Sequence, residues 1–247
     1  MVLPWKERLT ALLVPAALYY RRRIADEAEW GEHELGVLGE IVSPGGTAVD
    51  VGANQGFFAF AFSRIAKRVE AFEPNPDYAA FAARMLGRRA RVHAVALSDR
   101  NGREVFTVPV SEEGLVLHLG GSLDQAGPQP ARMMRFEVEV RTLDSYAFQD
   151  VRAIKVDVEG SETKVLAGAR ATIARDRPAL IVELLTGAHA DPAAVTETIC
   201  ATYAYSAWLV TKEGARVEAL PEIRKLGSNT TWGSPIRNRN VLFLPVR

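Results

Sequence analysis

The spacing of apolar positions changes period repeatedly along this chain, and the changes predict an order of elements. Val49 and Val51 bracket Asp50. A turn of small and polar residues follows, then the run Phe57-Phe58-Ala59-Phe60-Ala61-Phe62, which together predict a buried strand, a tight turn and a helix over residues 55–67. Val69-Glu70-Ala71-Phe72 is a second strand; Pro74-Asn75-Pro76 ends it and opens a helix to about Leu86. Residues 91–97 form a third strand, closed by Ser98-Asp99-Arg100-Asn101-Gly102. This βαβαβ order implies a parallel sheet with right-handed crossovers. Residues 103–110 read as an additional strand. Residues 111–132, rich in Gly, Ser and Pro, read as a long loop that serves function or moves. Phe136-Glu137-Val138-Glu139-Val140 alternates strictly, as an edge or half-exposed strand does. A buried strand over 151–158, the exit turn Glu159-Gly160-Ser161, a helix over 162–172, a strand over 177–183, a helix over 192–201 and strands over 207–210 and 240–244 complete the sheet.

The first turn carries the most chemistry. Gly52 and Gly56 remove Cβ atoms where the backbone turns and a ligand approaches, and Asn54 tolerates the left-handed region. Glu73 ends the second strand about twenty residues after Gly52, the spacing at which a carboxylate reaches a ribose diol in a βαβ unit. A dinucleotide fingerprint needs glycines at relative positions 1, 3 and 6; those positions hold Gly52, Asn54 and Phe57, so the pyrophosphate seat is missing. What remains suits a ligand with a ribose and no phosphate, such as S-adenosylmethionine, whose ammonium a carboxylate near the first turn can balance. A plain βα turn is the alternative.

Composition narrows the class. The chain has 247 residues, 48% of them hydrophobic, enough for one α/β domain with a full core. Its 30 basic and 30 acidic residues cancel, so no global field favours nucleic acid. One cysteine, Cys200, allows no internal disulfide and no zinc-spaced Cys/His cluster is present, which points to a reducing cytoplasm. Residues 9–20 form an apolar stretch, broken by Pro15 and followed by Arg21-Arg22-Arg23, too short to span a bilayer. It predicts an amphipathic helix that packs on the domain or on a second copy; attachment to an anionic membrane surface is the alternative.

A second group of polar residues lies on the 151–158 strand. Side chains alternate along a strand, so Lys155, Asp157 and Glu159 are expected to point the same way, toward the crevice at the carboxyl ends of the strands. Glu183 ends the next strand and brings a further acid to that rim. Capping of the following helix by Asp157 and Glu159 is the plainer alternative.

The ordered set Val49-Asp50-Val51-Gly52-Ala53-Asn54-Gln55-Gly56, Phe72-Glu73-Pro74-Asn75, Ala96-Leu97-Ser98-Asp99 with Gly102, Thr142-Leu143-Asp144, Ile154-Lys155-Val156-Asp157-Val158-Glu159-Gly160-Ser161-Glu162 and Val165-Leu166-x-Gly168-Ala169 resembles the FkbM-type methyltransferases. The match runs from about residue 48 to 183, with Gly121-Ser122-Leu123 and Asn240-Val241-Leu242-Phe243 similar to further pieces of the family. The first 45 residues carry no comparable motif.

The resemblance implies a class I, Rossmann-like α/β fold: a mostly parallel, doubly wound sheet with an inserted β/loop segment (about 103–140) in a domain over 46–247, preceded by an N-terminal helical extension over 1–45. It implies S-adenosylmethionine as cofactor and O-methylation of a sugar, glycan or natural product. Asp50, Gly52, Asn54, Gly56 and Glu73 would hold the cofactor's amino-acid and ribose parts, and Ser98 and Asp99 its adenine edge. Asp157, Glu159 and Lys155 would form the catalytic rim. Asp157 or Glu159 would act as general base, His189 being a reserve; in the less favoured metal-dependent route Asp157, Glu159 and Glu183 would hold a divalent cation. A catalytically degenerate nucleoside-binding module and a Rossmann-like NAD oxidoreductase are the alternatives. A small-molecule or glycan acceptor is the expected partner, and nucleic acid is not.

Overall fold

The computed structural model describes residues 9–10, 12–109, 133–185, 189, 191–226 and 240–246. The expected loop over 111–132, including Gly121-Ser122-Leu123, lies outside the described residues.

The strands are β1 (Thr47–Val51), β2 (Arg68–Phe72), β3 (Arg91–His93), β4 (Ala96–Leu97), β5 (Gly102–Pro109), β6 (Met133–Arg141), β7 (Val151–Val156), β8 (Ala179–Glu183), β9 (Tyr205–Val210), β10 (Arg216–Glu218) and β11 (Asn240–Pro245). An eight-stranded sheet has the order β10-β9-β11-β8-β7-β1-β2-β3. From β3 through β8 the pairing is parallel, and β11 enters antiparallel between β8 and β9. The chain leaves β1 toward β2 on one side and returns to β7 on the other, so β1/β7 is the topological switch point where α/β sheets open a ligand crevice. This is the class I, Rossmann-like methyltransferase architecture.

Alternation along the strands divides the core in two. Val49, Val51, Ile154, Val156, Leu180 and Val182 belong to one apolar cluster, with Val165, Leu166, Ile173 and Ile199. The latter come from the helices α5 (Glu162–Ala167), α6 (Arg170–Asp176) and α7 (Pro192–Tyr203). Ala48, Ala153, Ile181 and Leu242 belong to the other, with Tyr20, Leu35, Leu38, Phe60, Phe62 and Phe81. Those residues lie on α1 (Ala16–Trp30), α2 (Glu34–Ile41), α3 (Phe57–Phe62) and α4 (Pro76–Leu86). The N-terminal helices therefore share a core with the sheet. Tyr20 is fully buried and stacks on Phe60 with ring centroids 4.6 Å apart.

Two expected elements differ and two further elements appear. The 91–97 strand divides: β3 pairs with β2, whereas β4 pairs with β6 in a second, three-stranded sheet ordered β4-β6-β5. An apolar run does not specify which neighbour each half will find. The 162–172 helix is broken at Gly168, where a Cβ would lie 2.0 Å from the Ser98 carbonyl oxygen. The chain restarts as α6 with the Asp144 carboxylate accepting the Ala171 and Thr172 N–H groups, both at 2.9 Å. Finally, β10 and α8 (Ala219–Leu226) lie in a stretch where the apolar pattern predicts no element.

Candidate active site

The crevice begins where β1 and β7 come closest. Gly52 has φ 78°, and a Cβ there would stand 1.7 Å from the Asp157 carbonyl oxygen, so the close approach of the two strand ends requires glycine. The Gly52 and Ala53 N–H groups both donate to the Phe72 carbonyl at 2.9 Å, tying the turn to β2. Asn54 takes the left-handed φ of 48°. Its N–H donates to Glu73 Oε2 and the Asn75 N–H to Glu73 Oε1, each at 2.8 Å. Burial raises the Glu73 carboxyl to about 7 against the pull of those two amides. A carboxylate has about four lone-pair sites, so two acceptor positions remain on Glu73.

Beside this turn a group of charges sits on one face of the sheet. Asp50 lies opposite Lys155 in register, and Asn240 opposite Glu183. Asp50 Oδ2 accepts the Ala59 N–H at 2.8 Å; burial raises its carboxyl to about 7, with Lys155 and the Ala59 N–H working the other way. Lys155 is 1% exposed, its Nζ 3.2 Å from Asp157 Oδ2 and 5.1 Å from the centre of the Phe58 ring. Burial disfavours its ammonium, yet the charges of Asp157, Glu32 and Glu183 outweigh burial and hold it above its ordinary value. Burial, then the charge of Asp157 and a hydrogen bond with it, raise Glu183 well above the carboxylate range. The hydrogen bond with Asp157 thus disfavours charge on Glu183. Carboxylate oxygens of Glu32, Asp157 and Glu183 lie within 4.8 Å of one another.

A cavity of about 470 Å³ opens onto this group. Asp50, Gly52, Asn54, Lys155 and Asp157 line it from the sheet, and Tyr19, Arg23, Glu27 and Glu32 from the N-terminal segment. The Tyr20 hydroxyl donates to the Gln55 carbonyl at 2.8 Å and the Tyr19 hydroxyl to Gln55 Oε1, fastening α1 to the glycine turn. Arg23 pairs with Glu27 at 3.1 Å and stands 5.2 Å over the Phe57 ring. The motifs of the sequence do not point to this wall. Glu32 and Glu34 are two of five acids between residues 26 and 34, so sequence does not single them out; both are buried, and the Asn240 amide donates to both.

Other expected site residues lie elsewhere. The strand ends at Val156 and Glu159 has φ 55°, so alternation stops before Glu159, which neither lines the cavity nor joins the carboxylate cluster; Glu32 takes its place in the expected ligand set. Gly56, at φ 85°, makes room for Leu86 and Tyr20, whose atoms would lie 2.9 and 3.2 Å from a Cβ at that position, and it does not face the cavity. Ser98 is buried where β4 ends and its hydroxyl donates to Asp99 at 3.3 Å; Asp99 also pairs with Arg100. Ser98, Asp99 and Glu73 do not line this cavity, and Glu73 meets it only through Asn54, whose N–H it accepts. His189 bonds Glu162 at 2.7 Å, and Glu162 accepts the Val158 and Gly160 N–H groups, so His189 braces the turn after β7.

The model of the methyltransferase FkbM domain matches residues 50–226. The chain belongs to the FkbM methyltransferase family. A relative of this methyltransferase chain is the 2-O-methyltransferase NoeI of Sinorhizobium fredii, 31% identical over 176 residues, which are 63% of the present chain and 72% of NoeI. The fold is similar to the crystal structure of methyltransferase FkbM from Methylobacillus flagellatus KT, with a TM-score of 0.54 and 19% identity over 87% of this chain. The chain spans 48% of that protein's length. The matched family region begins at Asp50, so α1 and the Glu32–Glu34 segment that wall the cavity stand outside it.

Proposed function

We propose that this chain binds S-adenosylmethionine at the β1/β7 switch point and transfers its methyl group to a hydroxyl oxygen of a sugar, glycan or natural product. The observation that carries the reading is the buried carboxylate Glu73 fastened to the turn at Asn54, where Gly52 and Asn54 line the cavity and no phosphate seat is present. Glu73 would hold the ribose hydroxyls on the lone pairs that the Asn54 and Asn75 amides leave. Asp50 would order the turn and balance the ligand's ammonium. When bound, the cofactor supplies an electrophilic methyl carbon.

The chain's own contribution is positioning, which is worth about 7–11 kcal/mol when reacting groups are aligned, and removal of the acceptor proton. Asp157 stands on the cavity wall beside Lys155, with Glu183 raised well above the carboxylate range next to it, and is the group we assign as proton acceptor. Lys155 already supplies positive charge there. A divalent ion would have to face that ammonium, so the metal-free route is favoured. The aromatic faces of Tyr19 and Phe57 beside the Arg23–Glu27 pair suit a polyhydroxylated acceptor, which offers C–H surfaces and hydroxyls together. The name of NoeI, a 2-O-methyltransferase, supports oxygen as the methylated atom.

Asp157→Asn tests the assignment because it keeps shape and removes charge. Transfer of labelled methyl to a panel of mono- and oligosaccharides should fall ~10²-fold or more, with S-adenosylhomocysteine affinity within a few-fold. Near-wild-type turnover would return Asp157 to a structural role. Intact cofactor binding with no transfer to any hydroxyl acceptor would favour a nucleoside-binding module without catalysis.

A further inference from the structure

We infer that the outer face of the N-terminal segment is a docking surface for an anionic lipid bilayer. Leu9, Leu12, Leu13 and Leu18 are 43%, 63%, 75% and 63% exposed, and they make up four of the seven large hydrophobic side chains exposed among the described residues. The other three, Val105, Val217 and Val246, are scattered singly, as on any soluble surface. The leucines fall within ten residues of chain. The Val14 N–H donates to the Thr10 carbonyl at 3.0 Å, a helical hydrogen bond, and Leu9, Leu12 and Leu13 each have helical conformation. Leu18 lies on α1 with Arg21 and Arg22 three and four residues on, and all three are exposed on the face of the helix turned away from the buried Tyr20.

Charge decides the occupant. Apolar side chains followed directly by exposed arginines fit the boundary between acyl chains and anionic headgroups, where leucines enter the interface and arginine stems reach back to phosphates. The chain's net charge is zero, so this attraction is local. Further along the same face the sign reverses at Asp26 and Glu29, both exposed, with Glu29 paired to Lys212. The basic half alone therefore meets the headgroups, and α1 keeps its inner face on the glycine turn and the cavity. No helix among the described residues is long and apolar enough to cross a bilayer, so the segment lies on the surface. A second copy of the chain would present the same arginines to themselves and fits the patch less well.

Co-sedimentation of the full chain with vesicles tests this. Phosphatidylserine-containing vesicles should bind it at least ~10-fold more tightly than pure phosphatidylcholine vesicles, since each arginine near an anionic surface contributes about fivefold. Arg21→Ala with Arg22→Ala should abolish most of that preference. Leu12→Glu with Leu13→Glu should remove binding to both vesicle types, and thermal melting should stay near wild type because these side chains are exposed. Equal binding to both vesicle types, or none to either, overturns the proposal. So does a dimer in sedimentation velocity that Leu12→Glu with Leu13→Glu dissociates while wild type ignores vesicles, which would assign the patch to a second copy.

Discussion

Replacing Lys155 with methionine removes the one ammonium at the centre of a buried acidic group while keeping the length of its stem. In the wild type, Nζ lies 3.2 Å from Asp157 and over the Phe58 ring, with the charges of Glu32, Glu183 and Asp50 also coupled to it. Breaking a buried pair by removing one partner costs about 3–5 kcal/mol, because an uncompensated charge stays behind. Here the penalty depends on pH in a defined direction. Lys155 lowers the Asp50 carboxyl against the burial that raises it to about 7, so its loss lets that carboxyl rise further. At pH 5.5 Asp50 then holds its proton and much of the charge to be compensated is gone. At pH 8 the variant must either strip protons from buried carboxyls or keep them at a cost. Urea unfolding should therefore show a deficit near the full ~3–5 kcal/mol at pH 8, shrinking by at least ~1 kcal/mol at pH 5.5. A deficit equal at both pH values would refute the view that Lys155 acts as counter-charge, leaving only lost packing.

Glu73→Ala should weaken S-adenosylhomocysteine binding roughly ten- to a hundredfold by calorimetry, from the loss of charge-assisted hydrogen bonding worth ~1.5–3 kcal/mol in total. It should also lower unfolding stability by about 2–4 kcal/mol, because the Asn54 and Asn75 amides lose their shared acceptor; unchanged affinity would detach Glu73 from the ribose. Gly52→Ala must accommodate a Cβ at 1.7 Å from a backbone oxygen and a φ of 78°, so it should cost more than about 4 kcal/mol in urea unfolding, and near-wild-type stability would contradict the observed strand contact. Raised carboxyls at Asp50 and Glu73 (about 7) and Glu34 (about 8) contribute stability that is fully present below the ordinary carboxylate range and is lost as pH climbs through 7 to 8. The ligand-free protein should thus unfold at lower urea at pH 8 than at pH 5.5, whereas S-adenosylhomocysteine affinity should rise over the same interval as Glu73 ionises; the opposite slopes would remove this assignment.

Local pattern carries much of the fold. The switch from period two to period 3.6 around Gly52 identifies β1, the turn and α3, and the Glu73 spacing places the acid beside that turn. The parallel order through β8 follows from the crossovers. What pattern does not encode is partner choice: residues 91–97 read as one strand, yet their second half pairs with β6. Gly168 reads as a helix position until the Ser98 carbonyl is brought against it. Strand alternation brings Lys155 and Asp157 to one place and would carry Glu159 with them, did the left-handed turn at Glu159 not intervene. Glu32 is invisible to motif and spacing because it reaches the cluster from more than a hundred residues away, through a helical layer that reads in sequence as an appendage.

Whether the β1/β7 crevice is a nucleoside site with a ribose and no phosphate seat is decided most directly by calorimetric titration with S-adenosylhomocysteine and, separately, NAD. One S-adenosylhomocysteine site per chain is expected, weakened by Glu73→Ala, with no comparable heat from NAD. NAD binding more tightly than S-adenosylhomocysteine, or S-adenosylhomocysteine giving no heat with the folded chain, would contradict it.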